Sequence, residues 1–386
     1  MENSIRAEDV IDLVPDHLLD TIAMETGIDY SVKKLQGKNI FKLFLFGVLN
    51  GRKLSLRILA EIFKSNKFKQ LFDVQSDNIK HSAIGMRLSK IDYRYFERIF
   101  EHLVASEKVG VVSLGDKRID VRKIDSTIVV LSSKLLKVGI ENASKHMIKY
   151  SVEINSGMPA KVLIYKDQRY VSEDNALPPL INRKIANKSR NIAIFDRGIQ
   201  CKKTLADLVK NKTLFISRLT EQRYRVVSDL PLEKTKSETL KIVSYQLIKF
   251  ENTREKFPQE LRLIIGVNKK TKQKISFITN VDFLSAIEIT ELYKSRWEIE
   301  TFFKFIKQEL NFSHYLSRTE NGIKVVAYLT LIAAILLTLY KKINKIEGWI
   351  PAKIRFMDQL DQYIMREWQE QFLSAYNVGI ARPAYV

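Results

Sequence analysis

Residues 325–340 form a largely apolar run, VVAYLTLIAAILLTLY, between two lysines. A helix that crosses a membrane needs about 20 apolar residues. This run is shorter and contains threonines and tyrosines. We therefore predict a fully buried helix in a large core and no membrane partner. The hydrophobic content, 45% of 386 residues, is enough to fill such a core.

The charge balance indicates a polyanionic partner. The chain has 64 Lys and Arg against 44 Asp and Glu, a formal net charge of +20, and these residues are interspersed along the chain. Such a folded basic surface favours nucleic acid, with an anionic membrane surface as the second candidate. The acidic start lacks an apolar signal region, so we expect a cytoplasmic, nucleoid-associated protein.

The cysteine and the histidines do not indicate a disulfide or a zinc site. The single cysteine, Cys201, excludes an internal disulfide, and we predict that it is a small buried residue at a helix start. The five histidines show no paired metal-ligand spacing, so a zinc site is not expected.

Residues 1–112 show apolar residues at three- and four-residue spacing, which predicts a helical domain. Two short helical patterns lie near its centre, the second starting near Ser82. That pair suits a helix-turn-helix that presents Lys80, Arg87 and Lys90 to DNA, and an ordinary helical bundle suits it equally well.

From about residue 115 the pattern changes to strands. Three strand-like stretches precede the short buried strand NIAIFD, the helical CKKTLADLVKN and another strand, TLFISRL. This order predicts a mixed α/β domain over residues 113–345, with a β-rich insertion at about 221–275. Residues 346–386 have helical periodicity and either contact another protein or cap the core.

The segment LYKSRWEIETFFKFIKQEL, residues 292–310, is predicted to be one helix with two adjacent stripes. At about 100° per residue, leucine, isoleucine and phenylalanine form an apolar stripe beside a polar arc about 60° wide. The polar arc consists of Tyr293, Arg296, Glu300 and Lys307. It is either a solvated edge of mixed charge or a functional surface.

Two aspartates follow apolar strand patterns in the same domain. Asp125 is predicted to end one strand and Asp196 another, and either could simply start a turn. Strand ends of α/β sheets hold catalytic groups in fixed positions. With Glu300 they supply three carboxylates, the ligand type that Mg²⁺ and Mn²⁺ prefer. Two such ions about 4 Å apart can promote phosphoryl transfer.

The spacing Tyr-x2-Arg-x3-Glu-x6-Lys that starts at Tyr293 resembles the YREK signature of bacterial insertion-sequence DDE transposases, specifically insertion sequence family four. The resemblance covers about residues 115–340 and extends to IDST, FDRGI, FISRL, FITNV and LSRTENGIKV. It implies a ribonuclease H-like catalytic core. It also implies cut-and-paste transposition that acts on terminal inverted repeats and target DNA, by a homodimer assembled on DNA.

By the same resemblance, Asp125, Asp196 and Glu300 would bind two Mg²⁺ or Mn²⁺ ions. Water would cut DNA at the element end, and the freed 3′-OH would then attack, through a hairpin intermediate, and later join target DNA. Arg296 and Lys307 would contact terminal phosphates.

Further residues have two readings each. Tyr293, by the resemblance, would pack against or hydrogen-bond the DNA strand near the cleavage point. Trp297 is either a stacking platform for an unpaired base or a packed core residue. Arg197 and Arg218 follow core strands and either face DNA or are ordinary surface arginines.

Two alternatives to an active transposase remain open at the level of sequence. One is a catalytically silent DNA-binding regulator derived from a transposase, against which the intact carboxylate set argues. The other is a related metal-dependent nuclease that cleaves without joining, which only the reaction product distinguishes.

Overall fold

The computed structural model describes residues 4–50, 53–72, 74, 78–106, 112–114, 117–131, 139–142, 145–185, 190–220, 222–232, 238–251 and 257–380. The chain divides into two compact units, Met1–Glu107 with Phe305–Val386, and Lys108–Lys304. Residues 305–345, placed with the α/β domain in the sequence prediction, group here with the N-terminal helices. The functional meaning of the predicted segments stays a prediction.

The elements are numbered in chain order. The α-helices are α1 (Ala7–Ile11), α2 (Asp16–Thr26), α3 (Gly37–Asn50), α4 (Leu56–Lys64), α5 (Asn66–Phe72), α6 (His81–Lys90), α7 (Arg94–Ser106), α8 (Glu173–Ala176), α9 (Pro178–Ile181), α10 (Lys202–Lys210), α11 (Ala286–Lys294), α12 (Trp297–Glu309), α13 (Glu320–Ile343) and α14 (Trp349–Ile380). The β-strands are β1 (Val112–Leu114), β2 (Lys117–Val130), β3 (Ile140–Asn142), β4 (Lys145–Asn155), β5 (Met158–Tyr165), β6 (Arg190–Phe195), β7 (Leu214–Arg218), β8 (Tyr224–Asp229), β9 (Leu240–Phe250), β10 (Leu261–Asn268) and β11 (Lys274–Thr279).

Helix α13 is the core of the helical unit and contains the apolar run. It packs against α3, α6, α7 and α14, which explains why these distant parts of the chain form one unit. Within the described residues, α13 alone is long and apolar enough to cross a membrane, yet 94% of its most apolar window is buried in the protein. The hydroxyls of Thr330 and Thr338 are satisfied by carbonyls one turn earlier. The predicted buried helix is confirmed.

The basic helix predicted near Ser82 is α6, but one of its cations does not face solvent. The Arg87 guanidinium donates to the backbone carbonyls of Leu35 and Ile28, each at 2.9 Å, and to Asp29 at 2.8 Å. The prediction that Arg87 is presented to DNA is therefore wrong, because the side chain ties α6 to the loop between α2 and α3. Lys80 and Lys90 are exposed.

The C-terminal segment is helical, as predicted, through α14. Its last residues, 381–386, lie outside the described part of the chain. Whether this segment serves a protein contact stays a prediction.

The described strands form one mixed sheet, so the mixed α/β prediction is confirmed. Its central order is β5–β4–β2–β6–β7. Strands β2, β4 and β5 are antiparallel neighbours, whereas β6 runs parallel to β2 and β7 parallel to β6. Helix α10 makes the crossover that the parallel pair β6–β7 requires.

The segment predicted as a β-rich insertion contains β8, β9 and β10, while its residues 221, 233–237 and 252–256 lie outside the described part. The three strands are antiparallel neighbours. They extend the central sheet, because β10 pairs with β11 and β11 pairs with β7.

Alternating side chains on the strands build one core on each face of the sheet. Ala193 and Phe195 of β6 belong to the core that also contains residues of α9 and α10. Ile192 and Ile194 belong to the opposite core, which contains residues of α11. Cys201 lies at the start of α10, as predicted, but it is exposed, so its predicted burial is wrong.

Candidate active site

The two predicted aspartates lie level with each other on neighbouring strands. Strand β2 pairs with β6 in parallel register up to Lys123 opposite Ile194, and continuing this register by two residues places Asp125 opposite Asp196. Asp196 directly follows β6, as predicted. Asp125 does not end its strand: β2 continues to Val130, because it stays paired with β4 after β6 has ended.

Strand alternation also sets the face on which the aspartates lie. Ile119 and Val121 share the α11 core with Ile192 and Ile194, and Asp125 and Asp196 lie an even number of residues further along the same strands. Both carboxylates therefore lie at the end of the α11 face of the sheet.

The single helix predicted over residues 292–310 is two helices, α11 and α12. The Ser295 hydroxyl donates to the carbonyl of Leu292 at 2.7 Å. The next backbone bonds span three residues, from the N–H of Arg296 to Tyr293 and from that of Glu298 to Ser295. This is a tight 3₁₀-type turn, to which the local serine bond contributes by competing with the helical pattern.

The turn places Tyr293 and Arg296 on one side, since residues three apart eclipse each other in 3₁₀ geometry. The Arg296 guanidinium lies 5.5 Å from the centre of the Tyr293 ring. The Tyr293 ring itself belongs to the α11 core and packs edge-on against Phe277 at 5.1 Å. The core thus holds the tyrosine, and the tyrosine supports the arginine.

The polar contacts of this pair reach all three predicted carboxylates. The Tyr293 hydroxyl donates to Asp196 Oδ1 at 2.9 Å. Arg296 forms an ion pair at 3.5 Å with Asp125 Oδ2 and at 2.5 Å with Glu300 Oε1. The structure thus brings together five of the residues that were singled out in the sequence.

The two aspartates have different electrostatic environments. Burial raises the pKa of Asp125 to about 6, even though the Ser126 N–H and the Arg296 charge oppose the rise. Burial also acts to raise the pKa of Asp196. There, however, the Arg197 N–H, the Arg296 charge and the Tyr293 hydroxyl outweigh it and hold the pKa below its ordinary value. Neighbouring carboxyls whose environments separate their pKa values are typical of acid–base and metal chemistry.

The carboxylates in turn shift the pKa values of Arg296 and Tyr293. Burial lowers the tendency of Arg296 to be charged, but Tyr293, Asp196 and Glu300 more than compensate, and the net pKa of Arg296 is raised. Burial, with the Asp196 charge, raises the pKa of the Tyr293 hydroxyl, so it stays protonated as a donor. Arg296 therefore stays a fixed positive charge among three carboxylates.

The remaining predicted residues are placed as follows. Trp297 is 66% exposed, so its core reading is wrong. Lys307 lies in the last turn of α12, where burial lowers its pKa. Arg197 and Arg218 line one cleft with Arg223 and Lys274, and no carboxylate is among its described lining residues.

Two groups near the site were not anticipated from the sequence. Lys123 lies on β2 two residues before Asp125, and its ammonium forms an ion pair at 2.8 Å with Glu298 of α12. Strand alternation could have pointed to Lys123. The other group is Glu173 of α8, whose charge acts on Asp125. No sequence pattern links residues so far apart.

The carboxylates were tested as a metal site. Among the residues that the structure describes, no group of three or more His, Cys, Asp or Glu side chains is arranged to hold a metal ion. The carboxylates are not arranged around a metal ion because Arg296 already supplies the positive charge between Asp125 and Glu300. The donor chemistry nevertheless fits Mg²⁺ or Mn²⁺. In addition, Nε of Arg296 is buried without a hydrogen-bond partner, so this pairing does not fully satisfy the guanidinium.

The fold and site define a class: a mixed α/β protein with carboxylates gathered at the end of its central parallel strands, a set of groups suited to phosphoryl transfer. Comparison with known families specifies it further. The family model described as the transposase DDE domain matches residues 116–336, more than half of the chain. The chain belongs to this DDE transposase family, and the resemblance found in the sequence is confirmed.

Individual relatives agree with the family match. The chain is 23% identical over 320 residues, 78% of its length and 86% of the relative, to a Synechocystis protein provisionally named transposase for insertion sequence element IS4SA. It is 24% identical over 342 residues, 86% of its length and 84% of the relative, to a Geobacillus stearothermophilus protein named as the probable transposase for insertion sequence element IS5377. A Sinorhizobium fredii protein provisionally named transposase y4zB is 26% identical over 190 residues, 49% of this chain and 52% of the relative.

Proposed function

We propose that the chain cuts DNA at the ends of an insertion sequence and joins the freed ends to target DNA. The observation that carries this proposal is the convergence of Asp125, Asp196 and Glu300 on Arg296 and Tyr293 at one end of the sheet. The family match supports transposition as the overall process.

The proposed core is ribonuclease H-like. Three adjacent antiparallel strands, β2, β4 and β5, and the strands β6 and β7 parallel to β2, with the aspartates where the β2–β6 pairing ends, support that assignment. We further propose residues 1–112 as the DNA-end-binding domain, 113–345 as the catalytic domain and 346–386 as a protein contact in a homodimer on DNA.

Asp125, Asp196 and Glu300 are the residues that would hold two divalent cations. When bound, these cations would supply charge stabilisation for the attacking and leaving oxygens of phosphoryl transfer. The chain's own residues do the rest. Tyr293 orients Asp196 through its hydroxyl, and the Arg296 charge acts to lower the pKa of Asp125 and of Asp196.

Each chemical step conserves atoms and charge. In cleavage, a water oxygen forms a bond to phosphorus while the bond to the 3′ oxygen breaks, which leaves a 3′-OH and a 5′-phosphate. In joining, that 3′-OH attacks a target phosphodiester and displaces another 3′ oxygen. A hairpin intermediate between these steps stays a prediction.

The basic surfaces suit the DNA that these steps require. The cleft lined by Arg197, Arg218, Arg223 and Lys274 lies beside Asp196, whose pKa Arg218 helps to lower. Cations of this kind bind phosphates without reading sequence. The exposed Trp297 offers an aromatic face close to Glu300 for stacking on a base. Lys307 is proposed as a further phosphate contact on the same helix.

The test is an assay with labelled DNA that carries the element's own end joined to flanking sequence. Purified full-length protein is incubated with this DNA and a target plasmid, in Mg²⁺ or in EDTA. We expect metal-dependent cuts at the element boundary followed by joined products. Cuts without joined products, with target present, would identify a nuclease. Specific binding without cuts would identify a DNA-binding regulator.

A further inference from the structure

Glu173 contacts both the strand that carries Asp125 and the loop that follows Asp196. It is the first residue of α8, between β5 and β6. Its Oε2 accepts a hydrogen bond at 2.9 Å from Ser126, the residue after Asp125 on β2. Its Oε1 forms an ion pair at 2.9 Å with Lys149 of β4.

The network around Glu173 is largely buried and well bonded. The Lys149 side chain is 1% exposed, and its ammonium also donates to the carbonyl of Val171 at 2.7 Å. The Ser126 hydroxyl is 2.7 Å from that of Ser151 on β4. A buried lysine of this kind needs a carboxylate partner. The ion pair with Lys149 therefore holds Glu173 against the sheet.

The same side chain contacts the loop that carries Asp196. Gly198 lies two residues after Asp196, and a Cβ built on it would come within 2.6 Å of Glu173 Cγ and 3.0 Å of its Cβ. Glycine at residue 198 leaves room for the Glu173 stem, which any side chain at this position would have to displace. The next residue, Asp174, accepts from the backbone N–H of Cys201 at 3.0 Å. Two residues at the start of α8, Glu173 and Asp174, thus contact this loop.

We propose that Glu173 is a positioning residue for the carboxylate pair, and that it sets the spacing of Asp125 and Asp196 through Ser126 and Gly198. This inference rests on the proposed function, because the spacing matters for binding cations and for cleavage. Glu173 acts through its neighbours and is not placed among the groups that touch DNA. Removal of groups that orient metal ligands typically costs 10–100-fold in metal affinity or activity.

The first variant is Glu173→Ala in the full-length protein, with Glu141→Gln, an exposed carboxylate on β3, as the matched control. Three quantities are measured: Mn²⁺ binding followed by the electron paramagnetic resonance signal of the free ion, binding to the element end in EDTA, and the cleavage rate in Mg²⁺. We expect Mn²⁺ affinity and cleavage to fall at least tenfold, with end binding within twofold of wild type. Unchanged Mn²⁺ affinity in a folded Glu173→Ala protein would overturn the proposal.

If Glu173→Ala does not fold, Ser126→Ala decides, because it removes the hydroxyl that contacts Glu173 and Ser151 but leaves the Glu173–Lys149 ion pair in place. We then expect a fall in Mn²⁺ affinity of about threefold, from a loss of about 0.6 kcal/mol, and an unchanged affinity overturns the proposal.

A double-mutant cycle tests the contact with the loop. Gly198→Ala alone should lower Mn²⁺ affinity, because the new methyl group displaces the Glu173 stem. In the Glu173→Ala background the Cγ at 2.6 Å is removed and only the Cβ at 3.0 Å remains, so the same substitution should cost less. Equal costs in both backgrounds would contradict the role of Glu173.

Failure of this inference is distinguishable from failure of the proposed function. If wild type makes no metal-dependent cut, the proposed function fails. If wild type cuts and Glu173→Ala binds Mn²⁺ and cuts equally well, only the positioning role fails.

Discussion

Asp125→Asn should change the pH dependence of stability, because the environment of Asp125 disfavours its charge. Burial raises its pKa from the ordinary 3.8 to about 6. At about 1.4 kcal/mol per pK unit, that rise corresponds to about 3 kcal/mol of folding free energy. Asparagine has nearly the same shape and does not titrate.

The sign follows from proton binding. Below about pH 4 the Asp125 carboxyl is protonated in both folded and unfolded chains and has no effect. Between about pH 4 and 6 the unfolded chain loses this proton while the folded protein keeps it, so wild-type stability falls as pH rises. Above about pH 6 both forms are ionised, and the deficit of about 3 kcal/mol is constant.

The assay is urea unfolding of the full-length protein, followed by circular dichroism at intervals from pH 4 to 8 in EDTA. We expect Asp125→Asn to gain about 3 kcal/mol relative to wild type across this range. Asp167→Asn, an exposed aspartate before α8, is the control and should track wild type. If the unfolding free energies of wild type and Asp125→Asn differ by an amount that does not vary with pH, the argument from burial is refuted.

Three further results are expected. Arg87→Ala should destabilise the protein by about 2–4 kcal/mol in urea unfolding, because it breaks a largely buried ion pair. Lys90 is exposed, so Lys90→Ala should be neutral, and equal effects of the two substitutions would contradict the structural role of Arg87. Trp297→Ala should leave stability within about 0.5 kcal/mol but weaken binding to an element end with an unpaired base by about 1–3 kcal/mol; unchanged binding in a fluorescence titration would remove the stacking role. Lys274→Ala should lower the slope of log affinity against log salt by about 1 for any DNA sequence, and an unchanged slope would show that the cleft does not contact phosphate.

Much of the site could be predicted from the sequence because its signals are local. The apolar runs before Asp125 and Asp196 identify strands, and period-two alternation then fixes the face on which each side chain lies. The apolar length of α13 and its threonines were sufficient to predict burial. Spacing alone predicted that Tyr293, Arg296 and Glu300 lie on one side, although the helix between them is interrupted.

What escaped prediction depends on contacts between distant segments. Asp125 lies inside β2 because β4 continues to pair with that strand after β6 has ended. The break at Ser295 depends on a side-chain bond that periodicity does not reveal. Arg87 looked like a surface cation of a basic helix until its carbonyl partners were in place. Glu173 reaches the site only through the path of the chain between β5 and β6.

The central claim is that three carboxylates act together in cleavage while other residues bind the DNA. Glu300→Gln tests it most directly, with Glu291→Gln, a half-exposed residue of α11, as the matched control. End binding and Mg²⁺-dependent cutting are measured on the same labelled DNA. We expect Glu300→Gln to bind within about twofold of wild type, a change below about 0.5 kcal/mol, and to make no detectable cut, while the control does both. Cutting by Glu300→Gln at the wild-type rate would contradict the account.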